Sequence, residues 1–260
     1  MSWTETASIT VTARHEASQV DATLAVLESL EAHRTRLEAL FPEVPANVTV
    51  VLHDSSLQLA LAHPQLLLAR RLASPAGRRY MAGCYTTTEV HSLAPQVLRR
   101  LAAGPDSAKA LALTPERVYT LLVIGTNSPL LPPPFRPGTF ARLLRLAWLA
   151  DGAAQFLAGQ VPHLRAALAR RLRGRPPDLP PGARDAALLA GSVYDLLARE
   201  RGVEACVRLA LADQLQAPER MIEGAFGSPY ADVRLRWRAH LEQLARAQPA
   251  VTLEGPQGPR

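Results

Sequence analysis

The sequence predicts an α+β protein: a small N-terminal mixed sheet with helices, followed by a mostly α-helical C-terminal part. Three observations carry that expectation. Residues 8–14 alternate in polarity and are rich in β-branched side chains, the pattern of a half-buried strand. Residues 81–93, MAGCYTTTEVHSL, place Tyr85, three threonines and Val90 together, which suggests one or two strands with a turn near Thr87. From Ala94 onward, apolar residues recur at helical spacing, interrupted only where Pro and Gly gather.

Between these landmarks each element has its own signal. A helix is expected from Ser18 to Leu40, with Val20, Leu24, Leu27, Leu30, Leu37 and Leu40 on one face and Glu28, Glu31, Arg34 and Glu38 on the other. Pro42 and Pro45 end it. Val48–Leu52 is a short apolar strand, and Ser55 or Ser56 can cap the next helix. The later helices are expected at 94–103, 115–124, 138–159, 161–173, 182–200, 203–213, 217–226 and 229–246. Their breakers are Gly104-Pro105, the Pro129–Pro137 loop, the Arg173–Pro181 loop, Gly202, Pro218 and Pro229. This divides the chain into a sheet subdomain (1–113), a helical subdomain (114–247) and a Pro- and Gly-rich tail (248–260) expected to be disordered.

With 260 residues, 48% of them hydrophobic, the chain can bury a core without covalent staples. No apolar run approaches the roughly 18 residues of a membrane span, and the N-terminus lacks a basic-then-apolar leader. Two cysteines, Cys84 and Cys206, rule out a disulfide scaffold and read as small buried apolar residues. A cytoplasmic protein with no membrane partner is therefore expected. The net charge is +6, and Lys109 is the only lysine. The densest basic run, Arg165, Arg170, Arg171, Arg173 and Arg175, has no interleaved aromatics to stack on bases, so it reads as a solvated face and nucleic acid is an unlikely partner.

No short motif predicts a reaction. His15-Glu16 opens HEASQ, but a zinc HExxH needs a second imidazole at i+4, where Gln19 stands. His33, His53, His63, His91, His163 and His240 have no His or Cys three or four residues away. A Cys84–His91–Asp triad is conceivable, yet nothing designates its third member. Nucleophile-elbow, P-loop and dinucleotide-binding signatures are absent.

Two segments are more informative. One is Trp148-Leu149-Ala150-Asp151-Gly152-Ala153-Ala154-Gln155-Phe156; the other runs from Gly191 through GSVYDLLARERGVEACVRLALADQ to Ala225-Phe226-Gly227 and Trp237. The first resembles the WLxEGxAxY segment of the peptidase MA-like, gluzincin-type zinc metallopeptidases, and the second resembles their helical tail. The likeness spans about residues 5–246 and implies a gluzincin- or thermolysin-like fold. In that family an HExxH helix supplies two histidines and a general base, and the Glu of WLxEG is the third zinc ligand. Here the corresponding slot, residues 114–129, is TPERVYTLLVIGTNSP and contains no histidine, and Asp151 replaces the Glu. One carboxylate without imidazoles holds zinc poorly and activates no water.

The resemblance thus implies a degenerate member: a catalytically inactive pseudo-peptidase without zinc or other cofactor, serving as a peptide- or protein-binding module. Trp148, Asp151, Gly152 and Phe156 would line a vestigial groove. An extended peptide would pair with an edge strand within Ala82–Leu93, through Gly83, Tyr85, Thr87, Val90 and His91. On the bland reading Asp151 pairs with an arginine such as Arg142 or Arg145, and a loop at Ser74–Met81 or Pro129–Pro137 covers the edge. Two other classes stay open: a metal-independent hydrolase using Asp151, His91 or Tyr119 in the same cleft, and an arginine-rich binder of nucleic acid or anionic surfaces.

Overall fold

The computed structural model of the chain describes residues 3–131 and 137–246. Its five strands form one mixed sheet: β1 (Trp3–Ala7), β2 (Val11–Glu16), β3 (Val48–His53), β4 (Gly83–Tyr85) and β5 (Glu89–Leu93), in the order β1-β2-β3-β5-β4. The inner pairs β2–β3 and β3–β5 are parallel, and both edge strands pair antiparallel. The α+β expectation holds, and β1 is an addition to it. Its WTETA sequence leaves every side chain at least partly exposed, so no buried apolar period announces it.

Parallel inner strands need covered faces, and their sequences show it: Val48, Val50, Leu52 and Val90 are all buried. The register sets Ala13, Val50, Val90 and Tyr85 in one row, on the face that meets the long helices. Gly83 lies on that face, and only glycine fits there. A Cβ would come within 2.5 Å of the His91 carbonyl oxygen and 2.8 Å of the Val118 side chain. The opposite row, Val51, His91 and Cys84, lies on the other face.

The helices are α1 (Val20–Glu38), α2 (Ser56–Ala62), α3 (Pro64–Leu72), α4 (Pro75–Arg78), α5 (Pro95–Leu101), α6 (Pro105–Ala112) and α7 (Thr114–Asn127). They continue with α8 (Pro137–Leu157), α9 (Arg165–Leu172), α10 (Ala183–Arg201), α11 (Val203–Ala210), α12 (Pro218–Phe226) and α13 (Tyr230–Arg246). Ser55 is the cap of α2, accepting from the Gln58 amide at 3.1 Å. Gly104-Pro105 opens a helix as well as ending one, because proline at the first helical turn sacrifices no needed N–H. The helix expected at 161–173 is split, with a 3-10 turn at Val161–His163 ahead of α9.

The stripe assigned to α1 is rotated from the expected one. Val20 and Leu24 are exposed, while Thr23, Leu27, Leu30, His33 and Leu37 are buried. The shift follows from α7, whose Thr120 hydroxyl meets His33 Nε2 at 2.7 Å and so satisfies a polar group inside the interface. Helix α7 crosses the middle of the molecule with Val118, Tyr119, Leu122, Val123 and Ile124 all buried. Beyond it α8 packs on α10 through small residues. At Gly152 a Cβ would meet the Ala190 carbonyl oxygen and the Tyr194 ring at 2.8 Å. Gln155, fully buried, donates to the Ala186 carbonyl at 3.0 Å and accepts from the Gly191 amide at 3.1 Å. On α13, Trp237 is buried and donates to Ser192 Oγ at 2.8 Å. One continuous core runs through residues 11–113 and 114–244 alike. The tail 248–260 lies outside the described residues.

Candidate functional site

Strand β4 is short because the turn that follows it is tight. The Thr86 amide donates to the Glu89 carbonyl at 2.8 Å, and Thr86 Oγ1 accepts from the Glu89 amide at 3.1 Å. The bonds Leu93 N–H to Ala82 O and Thr86 N–H to Glu89 O mark alternate pairs of the ladder. Gly83 and Tyr85 therefore direct their own N–H and C=O groups away from β5. Thr87 falls in the turn, and Val90 and His91 belong to inner β5. The expected edge over 82–93 is corrected accordingly: only Gly83, Cys84 and Tyr85 stand at the sheet margin.

That margin borders a cavity of about 90 Å³. Leu66 and Ala69 of α3 form one wall, with Met81 beside them; Leu143 and Ala147 of α8 form the other. Of the two segments expected to cover the edge, 74–81 folds largely as helix α4 and reaches the cavity through Met81, beside α3, while 132–136 lie outside the described residues.

At the floor, α7 and α8 bring Arg117, Leu121 and Asp151 to the same cavity. Arg117 and Leu121 are one helical turn apart, so both point to the same side of α7. The Arg117 guanidinium is almost fully buried, donating from Nη2 to Asp151 Oδ1 and from Nη1 to the Tyr80 carbonyl at 2.8 Å. Its Nε has no partner. Asp151 is thus paired with Arg117, not with Arg142 or Arg145. One residue earlier, Glu116 is buried as well and accepts from Ser29 Oγ; burial pushes its carboxyl above the usual range.

Of the four residues expected to line a groove, Asp151 alone does so. Gly152 is turned against α10, Trp148 is buried with its indole N–H unpartnered, and Phe156 packs half-buried on the core. The residues considered for a hydrolase, Asp151, His91 or Tyr119, do not share one cavity either. Tyr119 donates to the Pro45 carbonyl at 2.6 Å, and neither it nor His91 reaches the cavity that Asp151 lines.

His91 joins a different cluster, which spacing along the chain had hidden. His53 Nε2 and His91 Nδ1 lie 3.1 Å apart, and the His63 ring stands edge-on to His91 with centroids at 4.0 Å. All three are buried, and burial is the main reason each is held below the usual histidine range, His91 at about 3. Glu89 Oε2 is 3.3 Å from His91 Nε2. Cys84 is the cross-strand partner of His91, but burial pushes its thiol well up, so it does not supply a thiolate at neutral pH. Among the described residues, no three His, Cys, Asp or Glu side chains are placed to hold a metal ion.

His15 of HEASQ bonds to Thr6 Oγ1 at 2.8 Å, a structural role. Within the basic run, Arg165 pairs with Asp106 and Arg171 with Asp185, which neutralises part of its charge. Sequence reasoning missed Arg117. The signal was there: Glu116-Arg117 is a charged pair inside an otherwise apolar helix, which folding tolerates only if both find partners. The fold and site define an α+β protein with an ion-paired, mostly apolar groove at a sheet edge. No family model, curated protein or solved structure matches the chain.

Proposed function

We propose that this chain is a peptidase-like scaffold that binds an extended peptide without cutting it. The carrying observation is the Arg117–Asp151 pair at the floor of the β4 groove. In the resemblance to gluzincins, two histidines one turn apart on α7 and an acid on α8 would surround zinc. Arg117, Leu121 and Asp151 have that arrangement with the donors exchanged. Zinc does not fit them: a guanidinium has no lone pair to give, Leu121 has no donor atom, and the Asp151 carboxylate is engaged by a fixed cation. The arginine supplies internally the positive charge a metal would bring, and no water is activated beside it.

What remains is a binding surface. The outward backbone of Gly83 can exchange hydrogen bonds with an added strand, and Leu66, Leu121 and Leu143 offer room for a small aliphatic side chain. A phage-displayed library of linear decapeptides tests this with the full chain. Enriched peptides should slow amide exchange at Gly83, and Ala147→Trp, which fills the groove, should abolish binding while the chain stays folded. Peptides that bind A147W equally well, or leave the Gly83 amide unprotected, would overturn the reading.

A further inference from the structure

We infer that the α2–α3 arm docks on an anionic lipid surface, independently of the groove. Five of the eleven large apolar side chains exposed among the described residues fall within residues 57–72. They are Leu57, Leu61, Leu67, Leu68 and Leu72, with exposures from 46% to 73%. Folding does not require them, because the two helices are anchored by Leu59, Ala60 and Leu66, all buried. An apolar concentration of this kind marks a contact surface. On α3 the spacing of Leu67, Leu68, Arg71 and Leu72 makes one exposed stripe along the helix.

Charge selects the occupant. Residues 55–88 contain no Asp or Glu and carry Arg70, Arg71, Arg78 and Arg79, although the chain as a whole has 23 acids. No ion pair among the described residues involves any of the four. Exposed leucines on one stripe with Arg71, which has no acidic partner among the described residues, match a bilayer interface, where acyl chains take the apolar groups and anionic headgroups the guanidinium ion. A second copy would bring the same positive charge to the contact. No described helix is long and apolar enough to cross a membrane, so the contact would be peripheral.

Co-sedimentation of the full chain with phosphatidylcholine vesicles, with and without a one-third admixture of phosphatidylglycerol, tests the inference. Binding should require the anionic lipid. Leu67→Ser with Leu72→Ser should lower partitioning about tenfold, and Arg71→Glu about fivefold or more. All three side chains are exposed, and a thermal melt checks that the variants fold. Arg173→Glu, an exposed charge on the other basic run, should leave partitioning unchanged. Equal binding to both vesicles, leucine variants that bind like the parent, or an equal loss in R173E would overturn it. So would a leucine-dependent dimer that ignores vesicles, which would assign the patch to a second copy.

Discussion

The Arg117–Asp151 pair concentrates the energetic interest of the groove in two side chains. Its arginine is nearly buried, so removing one partner strands a charge. Arg117→Ala should cost about 3–5 kcal/mol, and Arg117→Ala with Asp151→Ala should cost clearly less than the two single changes added together. Urea denaturation of the three variants measures this; strict additivity would show that the two groups do not act as a pair. The buried histidines make a separate claim on pH. His53, His63, His91 and His33 all have folded values pushed down by burial, His91 to about 3 and His33 to about 4. An unfolded histidine titrates near 6.5, so above that pH both states are neutral and stability is fully present. Below it only the unfolded state takes up protons, and stability falls by about 1.4 kcal/mol per pH unit for each histidine that stays neutral while folded. Unfolding free energies at about pH 7 and pH 5 should differ in that sense, and His91→Gln should flatten the slope. A flat profile would contradict the buried, neutral cluster.

Among the elements, α8 and α10 are held by closeness more than by bulk. Gly152 lets the Ala190 carbonyl and the Tyr194 ring approach the α8 backbone, and Gln155 stitches the two helices with hydrogen bonds at both ends. Gly152→Ala raises helix propensity yet inserts a methyl into a filled contact, so it should destabilise by about 1–3 kcal/mol. An increase in melting temperature would mean that the helices sit further apart. The same geometry explains why a WLxEG-like segment has less to do with the groove than it suggests. Only one of its helical faces, at Asp151, reaches the cavity; the glycine serves the interface behind it.

For the whole molecule, the +6 charge is spread unevenly, and its two densest basic stretches differ. The 165–175 run has partners in Asp106 and Asp185, whereas the 70–79 arginines have no acid in their own segment. Binding of DNA or RNA should accordingly be weak and should disappear at physiological salt, since its affinity would come from phosphate neutralisation alone. Fluorescence anisotropy against labelled duplex and single strands checks this; sequence-dependent, submicromolar binding at that salt would reverse it.

Sequence alone determined the α+β class and most helix positions, because those follow from apolar periodicity and from Pro and Gly breakers, which are local. It also determined that residues 114–129 contain no histidine. Tertiary structure decided the rest. Strand order put Val90 and His91 inside the sheet and left Gly83–Tyr85 at its margin, because pairing partners are chosen across the whole chain. It rotated α1 to bury His33 against Thr120, and it gathered His53, His63 and His91 from three separate elements. It also joined Asp151 to Arg117, 34 residues apart, instead of to Arg142 or Arg145, about two turns away on Asp151's own helix. A buried charge takes the partner that packing brings within reach, and packing is not written at any fixed spacing along the chain.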